Sequence, residues 1–162
     1  MEKKDILEAI APCALCCYTC AVKKDGIIAK TANNLLNYHI GYCDFENTIL
    51  PKNLKKSIRE EKKFLEKLNS KSNASCCGCR NGEHGKYCIK NCFILECAQS
   101  HGVDFCGECS EFPCNKTKDI FNDIVFEDWL VGNKKIRDVG VEQYYVETIA
   151  HSHYLSYSKT KN

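Results

Sequence analysis

Nine of the chain's fourteen cysteines fall between Cys76 and Cys114, at spacings that let several sulfurs converge on one point. They read C-x2-C (Cys76, Cys79), C-x3-C (Cys88, Cys92), a single Cys97, then C-x2-C-x4-C (Cys106, Cys109, Cys114), with Cys77 inserted in the first pair. A second group, Cys13, Cys16, Cys17 and Cys20, lies near the N-terminus, and Cys43 stands alone. Thiolates grouped two to four residues apart are the donor pattern of zinc and of iron–sulfur clusters. Cys76-x2-Cys79-x8-Cys88-x3-Cys92 has the two-knuckle form of a structural zinc site. Its first pair sits on a Gly78 turn whose N–H groups can face sulfur. Cys88 and Cys92, four apart, are expected on one face of a short helix. Cys97, Cys106, Cys109 and Cys114 would make a second four-thiolate site. His84 could replace one thiolate, although a loop histidine is more often a solvated bystander.

The N-terminal Cys13-x3-Cys17-x2-Cys20 has the spacing with which radical S-adenosylmethionine enzymes hold a [4Fe–4S] cluster. Those enzymes need a large α/β barrel, and this sequence shows no βαβ alternation. A zinc or ordinary iron–sulfur site is the better expectation, its fourth ligand coming from Cys16, Cys43, His39 or the main cluster. His39 lies on an apolar stripe and is read first as a core histidine. Thiol–disulfide exchange is disfavoured because that chemistry wants a lone C-x2-C beside a thioredoxin-like sheet. His151 and His153, two apart, would point to opposite sides of a helix and are poor joint ligands. No phosphate loop, Ser-His-Asp arrangement or carboxylate pair stands out, so an enzyme is not the expectation.

The elements that must position these thiols are helical. Asp25 can cap a helix carrying Ile28, Ala32, Leu35, Leu36 and His39, with Gly41 as its stop. A second helix is expected from Pro51 to Leu68, with a stripe of Leu54, Ile58, Leu65 and Leu68 and a lysine-rich opposite face. Beyond the cysteines, Pro113 opens a segment bearing Ile120, Phe121 and Ile124. A helix over 126–139 is expected to break or kink at Gly132. Val141, Tyr144, Tyr145, Thr148, Ile149 and Ser152 recur at helical spacing, and 156–162 reads as a frayed end. Short hairpins at the C-x2-C turns are the only β-structure expected. The fold class is therefore mainly α, one cysteine-rich metal-binding domain over 1–162, stapled by metal knuckles.

Leu, Ile, Val and Phe number 38 of 162 residues, enough for one modest core. The cysteine-rich half is poorer in large aliphatics, so metal–thiolate bonds would replace burial there. The charged start Met1-Glu-Lys-Lys-Asp-Ile-Leu-Glu has no apolar h-region, and no 18-residue apolar stretch occurs. A cytoplasmic location follows, where clustered thiols signal metal rather than the disulfides of a secreted scaffold. The formal charge is +2, but two four-thiolate zinc sites, each net −2, would carry it to about −2. A zinc-dependent nucleic-acid binder using the lysine helix is thus the weaker alternative to a protein-interaction module. No membrane partner is expected.

Ala11-Pro-Cys-Ala-Leu-Cys-Cys-Tyr-Thr-Cys20, Cys76-Cys-Gly-Cys-Arg80, Cys97-Ala98 and Cys106-Gly-Glu-Cys-Ser-Glu-Phe-Pro-Cys114 together resemble a known pattern. It belongs to a family of small cysteine-rich bacterial and archaeal proteins designated a domain of unknown function, with zinc binding inferred from its cysteines. The resemblance spans 11–114, leaving 115–162 as a C-terminal helical extension. It implies metal ligation by Cys13, Cys17, Cys20, Cys76, Cys79, Cys88, Cys92, Cys97, Cys106, Cys109 and Cys114. Cys16, Cys43 and Cys77 are extras to the pattern. Ala14 stands where the pattern has Gly, in a turn.

Overall fold

The computed structural model describes residues 2–39, 41–49, 51, 55–82, 88, 89 and 91–157. Helices dominate: α1 (Lys3–Ala9), α2 (Ile27–His39), α3 (Tyr42–Ile49), α4 (Lys55–Ser72), α5 (Ile94–Ser100), α6 (Asp123–Val139) and α7 (Val141–Ile149). The expected hairpins do not form. Among the described residues β-pairing is confined to two isolated bridges, Ile10 with Cys16 and Lys23 with Cys76. Cys17-x2-Cys20 and Cys106-x2-Cys109 close instead as 3-10 turns, whereas Cys76-x2-Cys79 runs through Gly78 into a 3-10 turn that starts at Cys79. No helix of the described residues is long and apolar enough to cross a membrane.

Several expectations about elements change. α3 was not expected, because its apolar residues Phe45 and Ile49 are largely exposed and mark no buried stripe. Cys88 and Cys92 are not on a helix. Asn91 adopts φ +57°, a left-handed conformation that ends helical continuity, and α5 begins only at Ile94. α6 runs unbroken through Gly132. A Cβ there would meet the Tyr144 hydroxyl at 2.9 Å and the Ala14 methyl at 3.1 Å. The glycine is therefore a close-approach residue, and the helix tolerates its modest propensity cost. The start of α6 is capped by Asn122, whose side chain accepts the Val125 N–H at 3.0 Å.

Two apolar cores organise the chain. One joins Ile6, Ile10, Ala14, Cys16, Phe105, Ile136 and Tyr144, locking α1 and the N-terminal loop to α6 and α7. The other is Ile94, Phe112, Phe121 and Trp129, with Cys13, Cys92, Cys106, Cys109 and Cys114 packed against it. Half of the hydrophobic interior is thus shared with the thiols. α2 and α4 pair with each other, and α3 packs against α4. His39 is not a core residue. It links these helices, its Nδ1 on the Leu35 carbonyl at 2.9 Å and its Nε2 facing Glu61 at 3.4 Å.

Candidate metal centre

Three turns present the C-x2-C pairs. In Cys17–Thr19 and Cys106–Glu108 the pattern is the same: the Cys20 N–H donates to the Cys17 carbonyl at 3.0 Å and the Cys109 N–H to the Cys106 carbonyl at 3.1 Å. The third, Cys79–Asn81, follows Gly78 at φ +94°, a conformation that suits glycine. The first and third turns are tied together. Cys76 donates to the Val22 carbonyl at 3.0 Å, Lys24 donates to the Cys76 carbonyl at 2.9 Å, and Lys23 Nζ reaches the Cys77 carbonyl at 2.8 Å. The second turn is tied to the N-terminal loop by the Cys106 N–H on the Pro12 carbonyl at 2.9 Å.

Two arginines hold the loops from outside. Arg80 donates to the carbonyls of Leu7 (3.0 Å), Ile10 (2.6 Å) and Asp104, and lies over the Phe105 ring at 5.0 Å. Arg137, from α6, donates to the carbonyls of Gly107 (2.9 Å), Phe112 (3.2 Å) and Cys109 (2.7 Å), and lies over Phe112 at 4.9 Å. A planar guanidinium spreads five donors in a fixed fork, so it can pin three carbonyls while its face stacks on a ring; the compact ammonium of lysine has no such face. Asn133, fully buried, accepts the Gly107 N–H at 2.8 Å and donates to the Trp129 carbonyl at 2.9 Å. α6 lies so close to the knuckle that a Cβ on Gly107 would sit 2.3 Å from the Asn133 carbonyl oxygen.

The thiols fall into two neighbourhoods. Cys97, Cys106, Cys109 and Cys114 line one small apolar pocket with Trp129 and Phe112. Burial pushes the Cys106 thiol up to about 11, the Trp129 indole opposes that, and the charges of Cys114, Cys97 and Cys109 add to it. The other neighbourhood gathers Cys13, Cys17, Cys20, Cys76, Cys79, Cys88 and Cys92. Burial raises Cys13 to about 12, helped by the charges of Cys79, Cys106 and Cys92. Burial likewise raises Cys17, and the neighbouring charges include Cys13, Cys79, Cys88 and Cys20. Cys88 rises to about 11, by burial and then by Cys20, Cys79, Cys76 and Cys92. Cys13 and Cys92 also pack with Cys106, Cys109 and Cys114 against the second core, so the two neighbourhoods adjoin. No disulfide joins the described cysteines. As they stand, no three His, Cys, Asp or Glu side chains among the described residues are arranged to hold one ion.

The extras go elsewhere. Cys16 is a core residue, 1 % exposed. The Cys77 thiol faces the Ser75 carbonyl at 3.7 Å. The side chains of Cys43 and His84 lie outside the described residues. Ala14 makes the turn that its glycine counterpart would make, at φ +66°, with its carbonyl accepting the Tyr144 hydroxyl at 2.7 Å.

Several contributors to the centre were missed in the sequence. Trp129, Asn133 and Arg137 recur four apart, which places them on one helix face, but nothing in the sequence aimed that face at Cys106 and Cys109. Ser156 and Tyr157, the described residues of the end expected to fray over 156–162, instead belong to a 3-10 turn, His153–Tyr157, against the first knuckle. His153 Nδ1 lies 2.9 Å from Thr19 Oγ1 and the Tyr154 hydroxyl 3.6 Å from Cys20 Sγ. A cleft of about 190 Å³ beside α1 reaches Cys17 and Cys79.

No curated protein and no solved structure matches the chain. The family described as "Protein of unknown function (DUF3795)" matches over residues 9–119, a span that holds every cysteine of both neighbourhoods, and the chain belongs to it.

Proposed function

We propose that this protein is an intracellular zinc–thiolate protein whose metal is structural and whose role is to present an interaction surface, without catalysis. One observation carries the reading: the eleven pattern cysteines, drawn from segments up to a hundred residues apart, are collected into two adjacent thiol neighbourhoods on tight, externally braced turns. Thiols are the soft donors that select zinc or iron over magnesium or calcium. The donor set fits in kind and number. Cys97, Cys106, Cys109 and Cys114 supply the four thiolates that a closed tetrahedral site would need, once their side chains turn to one point, and Trp129 supplies further support. Its buried Nε1 makes no hydrogen bond of ordinary geometry, yet it influences the Cys106 sulfur. An N–H aimed at a thiolate ligand is a common outer support of such centres. Zinc held by four thiolates would act as a cross-link in a region short of large aliphatics. The surface offered to a partner would include Tyr38, Phe45 and Ile49, 88 %, 59 % and 57 % exposed on α2 and α3.

A second reading, an iron–sulfur protein with a redox or sensing role, is favoured by the first neighbourhood alone. Its seven thiols outnumber the four that one tetrahedral zinc needs, and they include Cys13-x3-Cys17-x2-Cys20. Purification without oxygen decides between the two. Colourless protein with two or three zinc per chain is expected; brown protein absorbing near 400 nm transfers the assignment to iron–sulfur. Protein that contains neither metal and takes up none overturns both.

A further inference from the structure

We propose that the C-terminal turn is a latch on the first thiol neighbourhood, in which Tyr154 holds the Cys20 sulfur and thereby sets how fast an ion bound there exchanges. This rests on the metal-binding reading above. The turn comes from residues 153–157, beyond the 9–119 span of the family match, so it is an addition to the shared region. Its contacts converge on one knuckle. The Tyr154 hydroxyl accepts the Ala21 N–H at 3.0 Å and donates toward Cys20 Sγ at 3.6 Å. His153 meets the buried Thr19, its Nδ1 at 2.9 Å and its N–H at 3.4 Å from the same hydroxyl, and its ring packs on Tyr154 with centroids 3.9 Å apart. Ser156 anchors the far side, donating to Asp128 of α6 at 2.7 Å.

A phenol, unlike a phenyl or an indole ring, can accept one backbone N–H and still offer a proton to sulfur from the same oxygen. Placed here, it neutralises part of the charge on a thiolate ligand and fixes its direction, which is what outer hydrogen bonds do for metal ligands. The turn itself is exposed and buries no large apolar side chain, so it can lift without disturbing either core. Segments with few buried apolar contacts open at low free-energy cost. Lifting would bare Cys20 while the Lys23–Cys76 bridge keeps the knuckle in place.

The test compares wild type, Tyr154→Phe and Ser156→Ala, the last touching no cysteine. Zinc-loaded proteins are mixed with excess chromophoric chelator and release is followed in time. Tyr154→Phe should release one class of ion about 10–100-fold faster, the range for losing an outer hydrogen bond to a ligand. Ser156→Ala should quicken the same class by a smaller factor, and the ion of Cys97, Cys106, Cys109 and Cys114 should be unaffected. Unchanged release in both variants at full zinc content overturns the latch. Should wild type hold no ion, the metal reading fails by itself, and the latch is judged by iodoacetamide labelling of Cys20 followed by peptide mapping. Faster labelling in both variants supports it, and equal rates overturn it.

Discussion

Replacing Asn133 by Ala removes the side chain that joins α6 to the Cys106–Cys109 knuckle. The Gly107 N–H is buried and has Asn133 Oδ1 as its acceptor at 2.8 Å, so the substitution leaves a buried donor unpaired. That costs about 1–3 kcal/mol. The lost amide also vacates a fully buried site, and the hydrogen bond to the Trp129 carbonyl at 2.9 Å goes with it. The carbonyl loss is minor, because a helical carbonyl retains its backbone donor. Together the terms give about 3 kcal/mol, equivalent to a fall in Tm of roughly 6–12 °C for a chain of this size. Thermal melts of the metal-loaded protein, followed by near-UV CD, read this directly, since Trp129 adjoins the change. Val131→Ala on the exposed face of the same helix should shift Tm by no more than about 2 °C. A fall below about 2 °C for Asn133→Ala would refute the argument that the knuckle hangs on this side chain.

Serine at Cys79, Cys109 or Cys114 should each cost metal stoichiometry, whereas Cys43→Ser and Cys77→Ser should retain it; loss in Cys77→Ser with none in Cys109→Ser would reverse the assignment. Because burial and mutual repulsion hold Cys13, Cys88 and Cys106 protonated at neutral pH, an ion must displace those protons to bind. Affinity should therefore fall on acidification, by roughly tenfold per displaced proton per pH unit; a chelator competition that gives the same affinity at pH 7 and pH 6 would exclude thiol ligation. Chelation of the metal should abolish near-UV CD and expose 76–114 to protease, and persistence of protection after verified metal removal would show that the segment folds without it. In about 150 mM salt the metallated protein should not shift single- or double-stranded probes at micromolar concentration. The +5 of residues 51–71 is offset by −5 over 104–147, and tight, salt-sensitive binding would make the lysine face a working surface.

Spacing alone marked the cysteines as candidate ligands, and for a local reason. A C-x2-C turn closes on its own residues, so the turns at Cys17 and Cys106 are legible one by one, as are α2 and α7, whose apolar periods are strong. The division between Cys97, Cys106, Cys109, Cys114 and the rest was likewise visible, because those thiols lie close along the chain and share one pocket. The approach of Cys13, Cys17 and Cys20 to Cys76 and Cys79 was open only as one of several sources of a fourth ligand. It depends on the parallel bridge of Lys23 with Cys76, a backbone pairing across more than fifty residues that no side-chain pattern announces. The roles of Gly132, Trp129, Asn133 and Arg137 were also hidden. A helix period says which residues share a face, whereas the object that the face meets is decided by packing. The end of the chain shows the same limit. Nothing in the sequence singles out Tyr154, because its partners, Ala21 and Cys20, are 133 and 134 residues away, and only the tertiary structure brings its hydroxyl to them.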